Sequence, residues 1–140
     1  MFIVVDSNVV ISAVLNRGNL LNIFIKNFSE KVFNFIAPNF LILEVGKHTE
    51  KIAKKTKFSD DEVLEMLEFV CGQITFVPDE YFKDNLEEAR KILKEHEKDV
   101  PYLALALAFK CKIFSGDKVL KSIIPDRIKT PRELLDEFYT

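Results

Sequence analysis

Phe2-Ile3-Val4-Val5-Asp6 opens the chain with four apolar, β-favouring residues that stop at an acid. Lys112-Ile113-Phe114-Ser115-Gly116-Asp117 repeats the arrangement near the other end. Short apolar runs of this kind read as strands buried on both faces, so Asp6 and Asp117 each fall at a strand C-terminus. In an open parallel sheet, ligands bind in the crevice outside those ends, and acids from opposite ends of a chain can meet there. Glu44 and Asp99, on predicted helices, can complete the cluster. Four neighbouring carboxylates repel one another unless a cation neutralises them, which points to a divalent-metal site.

Between these two runs, β and α patterns alternate without a repeat or a Gly/Ser/Pro-rich linker, which predicts one domain over residues 1–140. Asn8 to Leu15 reads as a short apolar helix, and Leu20 to Phe28 as an amphipathic one. Val32 to Ala37 is the predicted second strand. Asn39 then stands as the N-cap of a helix carrying Leu41, Ile42, Val45 and His48 near one side. Ser59-Asp60-Asp61-Glu62 has capping-box spacing before Val63, Leu64, Leu67 and Val70. Gly72 ends that helix, Ile74 to Val77 is a third strand, and Asp84 to Glu87 repeats the box. Asp99-Val100-Pro101 opens an almost wholly apolar helix over Tyr102 to Phe109. Thr130-Pro131-Arg132-Glu133 starts the last one. The pattern predicts a three-layer α/β/α sandwich around a mainly parallel sheet of about five strands, with right-handed crossovers.

Composition narrows the function classes. Lys and Arg total 20 against 22 Asp and Glu, a net charge of −2, so local rather than global charge must decide whether nucleic acid binds. Cys71 and Cys111 are far apart, lie in apolar stretches and form no C-x-x-C pair, and they read as reduced core thiols. No leader sequence opens the chain and no apolar run approaches the ~18 residues that span a bilayer, so a cytoplasmic protein is expected. His48 and His96 form no His-x-x-x-His pair. With no nucleophile elbow and no Gly-rich phosphate loop, covalent catalysis and nucleotide hydrolysis lack support. Asp6-Ser7-Asn8 lacks the second Asp of haloacid-dehalogenase phosphatases, and no adjacent acidic pair suits a receiver domain.

Each acid alone has a plain structural use. Asp6 and Asp117 suit strand-end turns, Asp99 suits a helix N-cap, and Glu44 suits a solvated helix face. Jointly, their order along the chain is a much less probable coincidence.

At this point the chain resembles the PIN domains, and within them the toxin-like ribonucleases of VapC type. The resemblance rests on Val4-Val5-Asp6-Ser7-Asn8-Val9-Val10-Ile11-Ser12-Ala13, on Leu41-Ile42-Leu43-Glu44-Val45, on Asp99-Val100-Pro101-Tyr102-Leu103-Ala104-Leu105-Ala106 and on Ser115-Gly116-Asp117-Lys118. Ile128 to Leu135 looks like the family's last strand and helix. It implies that Asp6, Glu44, Asp99 and Asp117 are an acidic quartet holding Mg²⁺ or Mn²⁺, and that Asn8 and Ser115 orient the carboxylates or a water. It further implies an RNA substrate cut to a 5′-phosphate and a 3′-hydroxyl, a homodimer, and a VapB-like antitoxin covering the groove. Where many relatives carry further acids, this chain has His96, Lys98 and Val119, which leaves a second metal position without those ligands.

The chemistry is consistent with that resemblance. Cutting a phosphodiester requires neutralising the phosphate and supplying a nucleophile near neutral pH, and a divalent ion does both. Oxygen-only ligands favour Mg²⁺ or Mn²⁺ over zinc. On this reading Asp6, Asp99 and Asp117 bind the metal directly or through water, while Glu44 helps ligate it or orients the attacking water. Phosphate contacts need positive charge nearby. Lys47, Lys51, Lys54, Lys55 and Lys57 crowd the end of the Glu44 helix, and Lys118, Lys121, Arg127 and Lys129 follow Asp117, although lysine-rich faces are often simply solvated. The alternative is a PIN-like module that binds RNA or serves assembly with a weak or inactive metal site.

Overall fold

The apolar run Phe2–Val5 forms β1 at the centre of a five-stranded sheet, between β2 (Asn34–Pro38) and β4 (Lys112–Phe114). β3 (Ile74–Val77) and β5 (Ile128–Lys129) are the edges. This computed structural model describes residues 1–139, so Thr140, the last residue of the predicted domain, lies outside the described residues. The order is β3-β2-β1-β4-β5 and every pairing is parallel. The expected α/β fold is therefore present, and "mainly parallel" becomes wholly parallel. Strands covered on both faces need continuous apolar runs, and Ile3, Val4 and Val5 are at most 1% exposed.

Among the described residues seven α-helices lie between the strands, α1 (Ser7–Asn16), α2 (Gly18–Glu30), α3 (Phe40–Lys55), α4 (Asp60–Cys71), α5 (Leu86–Leu93), α6 (Val100–Phe109) and α7 (Lys118–Ile123), and an eighth, α8 (Pro131–Glu137), follows β5. The chain steps outward from β1 to β3, then returns past β1 to β4. The right-handed crossover rule assigns α1–α4 to one face and α5–α6 to the other. α6 lies on β1, β2 and β4, and Leu103, Ala104, Leu105 and Ala106 are fully buried. Among the described residues no single helix is long and apolar enough to cross a membrane.

The capping boxes at Ser59 and Thr130 form with both reciprocal bonds. Gly72 caps α4 because a Cβ there would stand 2.7 Å from the Glu68 carbonyl oxygen. Other expectations need correction. Lys83–Asn85 is a 3-10 turn and α5 begins at Leu86 without a side-chain cap bond, so Asp84 and Glu87 form no box; Phe82, 2% exposed, pins the chain just before it. Asn39 is already helical and caps nothing. β2 starts at Asn34 rather than Val32, because the buried Asn27 side chain accepts the Phe33 N–H at 2.8 Å and donates to its carbonyl at 3.1 Å. Those two bonds occupy the groups that strand pairing would use. Ile42 and Leu64 face outward, and the buried lines are Leu41-Val45-Ile52 on α3 and Val63-Leu67-Val70 on α4. Cys71 and Cys111 are free and half-buried at the margin of the core, and burial pushes both thiols up, which keeps them protonated and unreactive.

Candidate functional site

Asp6 leaves β1 as the N-cap of α1. Its Oδ1 accepts the Asn8 N–H at 3.4 Å, and its Oδ2 accepts the Ser115 hydroxyl at 2.8 Å. Ser115 Oγ in turn accepts the Asp117 N–H at 3.1 Å, and the Asp6 N–H donates to the Phe114 carbonyl at 3.2 Å. β1 and β4 are neighbours at the point where the strand order reverses, so Asp6, Ser115 and Asp117 line the crevice where open α/β sheets bind ligands. Asp117 Oδ1 accepts the Val119 and Leu120 N–H groups at 2.8 and 3.1 Å, capping α7. Its other oxygen accepts no protein hydrogen bond among the described residues.

Asp99 occupies the N-cap place of α6 but caps nothing, with φ −88° and ψ −11°. A capping residue has extended backbone, whereas Asp99 closes the 3-10 turn Glu97–Asp99 with helical angles, and the second helical residue, Pro101, has no N–H to offer. The carboxylate therefore stays available. Burial, then the negative charge of Asp6 and Asp117, pushes Asp99 up to about 6, with a further push from Glu44 and a partial offset from His96. Burial also raises Asp6 against the pull of the Ser115 and Asn8 donors, and Glu44 and Asp117 add to that rise.

The four acids thus share one electrostatic field. Among the described residues none of them forms an ion pair with Lys or Arg. Equally, no three His, Cys, Asp or Glu side chains there converge into a ready-made metal cage. An all-carboxylate set with unneutralised charge fits a hard divalent cation that keeps several waters and takes only one or two protein oxygens directly. It does not fit a closed tetrahedral centre.

The Asp99 shift has a measurable sign. Unfolded, Asp99 titrates near 3.8; folded, near 6. The folded state holds the proton more tightly, so the stability it confers is complete below pH 3.8 and is lost as pH rises to about 6. Asp6 acts in the same direction. In EDTA, the melting temperature of wild type should fall more steeply across that window than that of Asp99→Asn. Parallel profiles for the two proteins would remove the shift.

Glu44 reaches the crevice from α3, where its Oε1 accepts the Tyr102 hydroxyl. Burial and this carboxylate raise the phenol above the usual tyrosine range, with a partial offset from the Ser7 side chain. Tyr102 and Ser7 were not among the expected site residues. The readable signal was a polar-tipped side chain in an otherwise apolar helix, three residues after Asp99 and so on the same helical side. Asn8 is exposed at the start of α1. It lines, with Ser12 and Asp117, a cleft of about 210 Å³ beside the acids. A larger cleft of about 440 Å³ opens among Phe2, Phe109, Lys110 and Lys112 at the other end of the strands. It contains no carboxylate, so chemistry favours the smaller one.

Lys47, Lys51, Lys54, Lys55 and Lys57 are exposed. Lys118 is exposed at the first residue of α7, whereas Lys121 pairs with Glu133 at 3.5 Å. Lys129 pairs with Glu137 and lines the far cleft, away from the acids.

No curated protein sequence matches this chain. Its fold is similar to that of a chain in the structure of VapBC2 from Rickettsia felis bound to a DNA fragment from their promoter, with a TM-score of 0.71 and 13% identity over 93% of this chain and 98% of that one. It is also similar to PAE2754 from Pyrobaculum aerophilum, with a TM-score of 0.68 and 16% identity over 97% of this chain and 87% of that one. At these identities the likeness is one of fold. The family profile described as PIN domain matches residues 4–131, a span that contains Asp6, Glu44, Asp99 and Asp117, and the chain belongs to the PIN-domain family.

Proposed function

We propose that this chain is an Mg²⁺- or Mn²⁺-dependent endoribonuclease and the toxin of a VapBC-type toxin-antitoxin pair. Asp99 carries the reading: its carboxylate sits where a helix cap belongs, caps nothing, and is raised by burial and by three other acids. Membership of a family of nucleases supports the same chemistry.

Asp6, Asp99 and Asp117 would hold the ion, directly or through its waters, and Glu44 would ligate it or orient the attacking water. Bound there, a divalent cation neutralises phosphate charge and makes water a competent nucleophile near neutral pH. The chain's own part is to hold these oxygens in place. Ser115 fixes Asp6 and the Asp117 backbone together, while Asn8 at the cleft can bond a water or a phosphate oxygen. Lys47, Lys51, Lys54 and Lys118 would contact the RNA backbone, with Lys121 joining them only on release from Glu133. Such contacts bind without reading sequence. Likeness of fold to a chain of the Rickettsia felis complex supports a VapB-like antitoxin as partner, and the protein would act as a homodimer in the cytoplasm.

The test is cleavage of a labelled mixed RNA by wild type and Asp99→Asn, each with Mn²⁺, Mg²⁺ or EDTA. Wild type should cut only with metal, and the variant should lose that activity. RNA bound but uncut with every metal would overturn the nuclease and favour an RNA-binding or assembly module.

A further inference from the structure

We infer that Tyr102 is a positioning residue for the proposed cleavage: its hydroxyl engages one oxygen of Glu44, so that Glu44 offers a single carboxylate oxygen to the crevice. The inference rests on the nuclease reading and adds to it a residue outside the acidic quartet.

Tyr102 is 2% exposed, within a helix whose neighbouring side chains are apolar. A buried hydroxyl must find a partner, and this one donates to Glu44 Oε1. The ring of the same residue packs on Phe40, with centroids 6.4 Å apart and planes at 60°. Phe40 and Glu44 are one turn apart on α3, and Tyr102 on α6 is three residues after Asp99 at its helical N-cap place, so each pair shares a helical side. Tyr102 is therefore a strut, holding α3 through its ring and the Glu44 carboxylate through its hydroxyl. A phenol has one proton to give, and here it goes to Glu44.

Without that bond Glu44 is a half-buried side chain with three rotatable torsions on a solvent-facing part of α3. Leu43 beside it is 63% exposed, and Gly46 faces open space. The carboxylate would have to be immobilised anew for each reaction. Held by Tyr102, it is already in place.

A double-mutant cycle tests this. Wild type, Tyr102→Phe, Glu44→Ala and the double variant are compared by Mn²⁺ affinity, from the paramagnetic resonance of free Mn²⁺, and by single-turnover RNA cleavage. Tyr102→Phe keeps the ring on Phe40. It should weaken Mn²⁺ binding and slow cleavage about fivefold to tenfold while leaving RNA affinity unchanged. In the Glu44→Ala background it should change neither by more than about twofold. Glu44→Asp keeps the charge, loses the reach to the hydroxyl and leaves the core intact; it should reproduce the loss. Equal effects of Tyr102→Phe in both backgrounds, or none in either while wild type still cuts, would overturn the positioning role. A wild type that neither binds Mn²⁺ nor cuts RNA would overturn the nuclease reading and this one with it.

Discussion

Asp6→Asn is expected to reduce metal-dependent RNA cleavage on the order of 10²- to 10³-fold, while leaving the protein at least as stable as wild type at neutral pH in EDTA. The two effects have one cause. Asp6 is 3% exposed, and burial together with Glu44 and Asp117 raises it, so the ionised form burdens the fold. Asparagine keeps the shape and removes the charge. Its amide can still accept from Asn8 or meet Ser115, whose hydroxyl rotates to suit. Losing activity while gaining stability is the behaviour of a residue kept for chemistry. Cleavage assays and thermal melts on the same preparations check both halves. Retained cleavage would detach Asp6 from the site, and a large drop in melting temperature would show that it is instead structural.

Phe24→Ala should be the most damaging change to the fold, at about 3–5 kcal/mol. Phe24 is fully buried, and its ring lies 5.1 Å from Phe35 on β2 and 6.3 Å from Phe114 on β4. Truncation empties the centre of an aromatic cluster that joins α2 to two strands, and tilted rings of this kind add about 0.5–1.5 kcal/mol beyond their area. Total stabilities of 5–15 kcal/mol are usual, so the melting temperature should fall by about 10–15 °C. Phe114 also accepts the Asp6 N–H and precedes Ser115, so loss of its packing loosens the crevice. A shift below about 3 °C in a thermal melt would mean that the surrounding rings collapse to fill the space.

The parts of this molecule visible in its sequence are those set by local rules. Apolar runs ending in Asp6 and Asp117 placed two acids at strand ends, and the serine and threonine boxes marked two helix starts, because both signals depend on a few adjacent residues. Ile74–Val77 is the third strand with the boundaries expected. The misreadings arose where distant groups intervene. The β2 start was hidden because Asn27, six residues earlier in sequence and on α2, takes the backbone groups of Phe33. Asp84 offers box spacing, but buried Phe82 anchors a tighter turn there. The bond between Tyr102 and Glu44 spans 58 residues, and no periodicity announces it. Asp99 was legible as a candidate, while its freedom from capping depends on its own helical backbone and on Pro101 lacking a donor.

Ser115 and Asp6 are 109 residues apart in sequence, and β1 obtains one of its two neighbours only when Lys112–Phe114 arrives. On a ribosome adding about 5–20 residues per second, this separation amounts to a delay on the order of 10 s. Throughout that interval the nascent chain carries Asp6 without the hydroxyl that orients it and without Asp117 beside it. The separation of the central strand from this partner acts as a timer, keeping the crevice unassembled until β4 and Asp117 have been made.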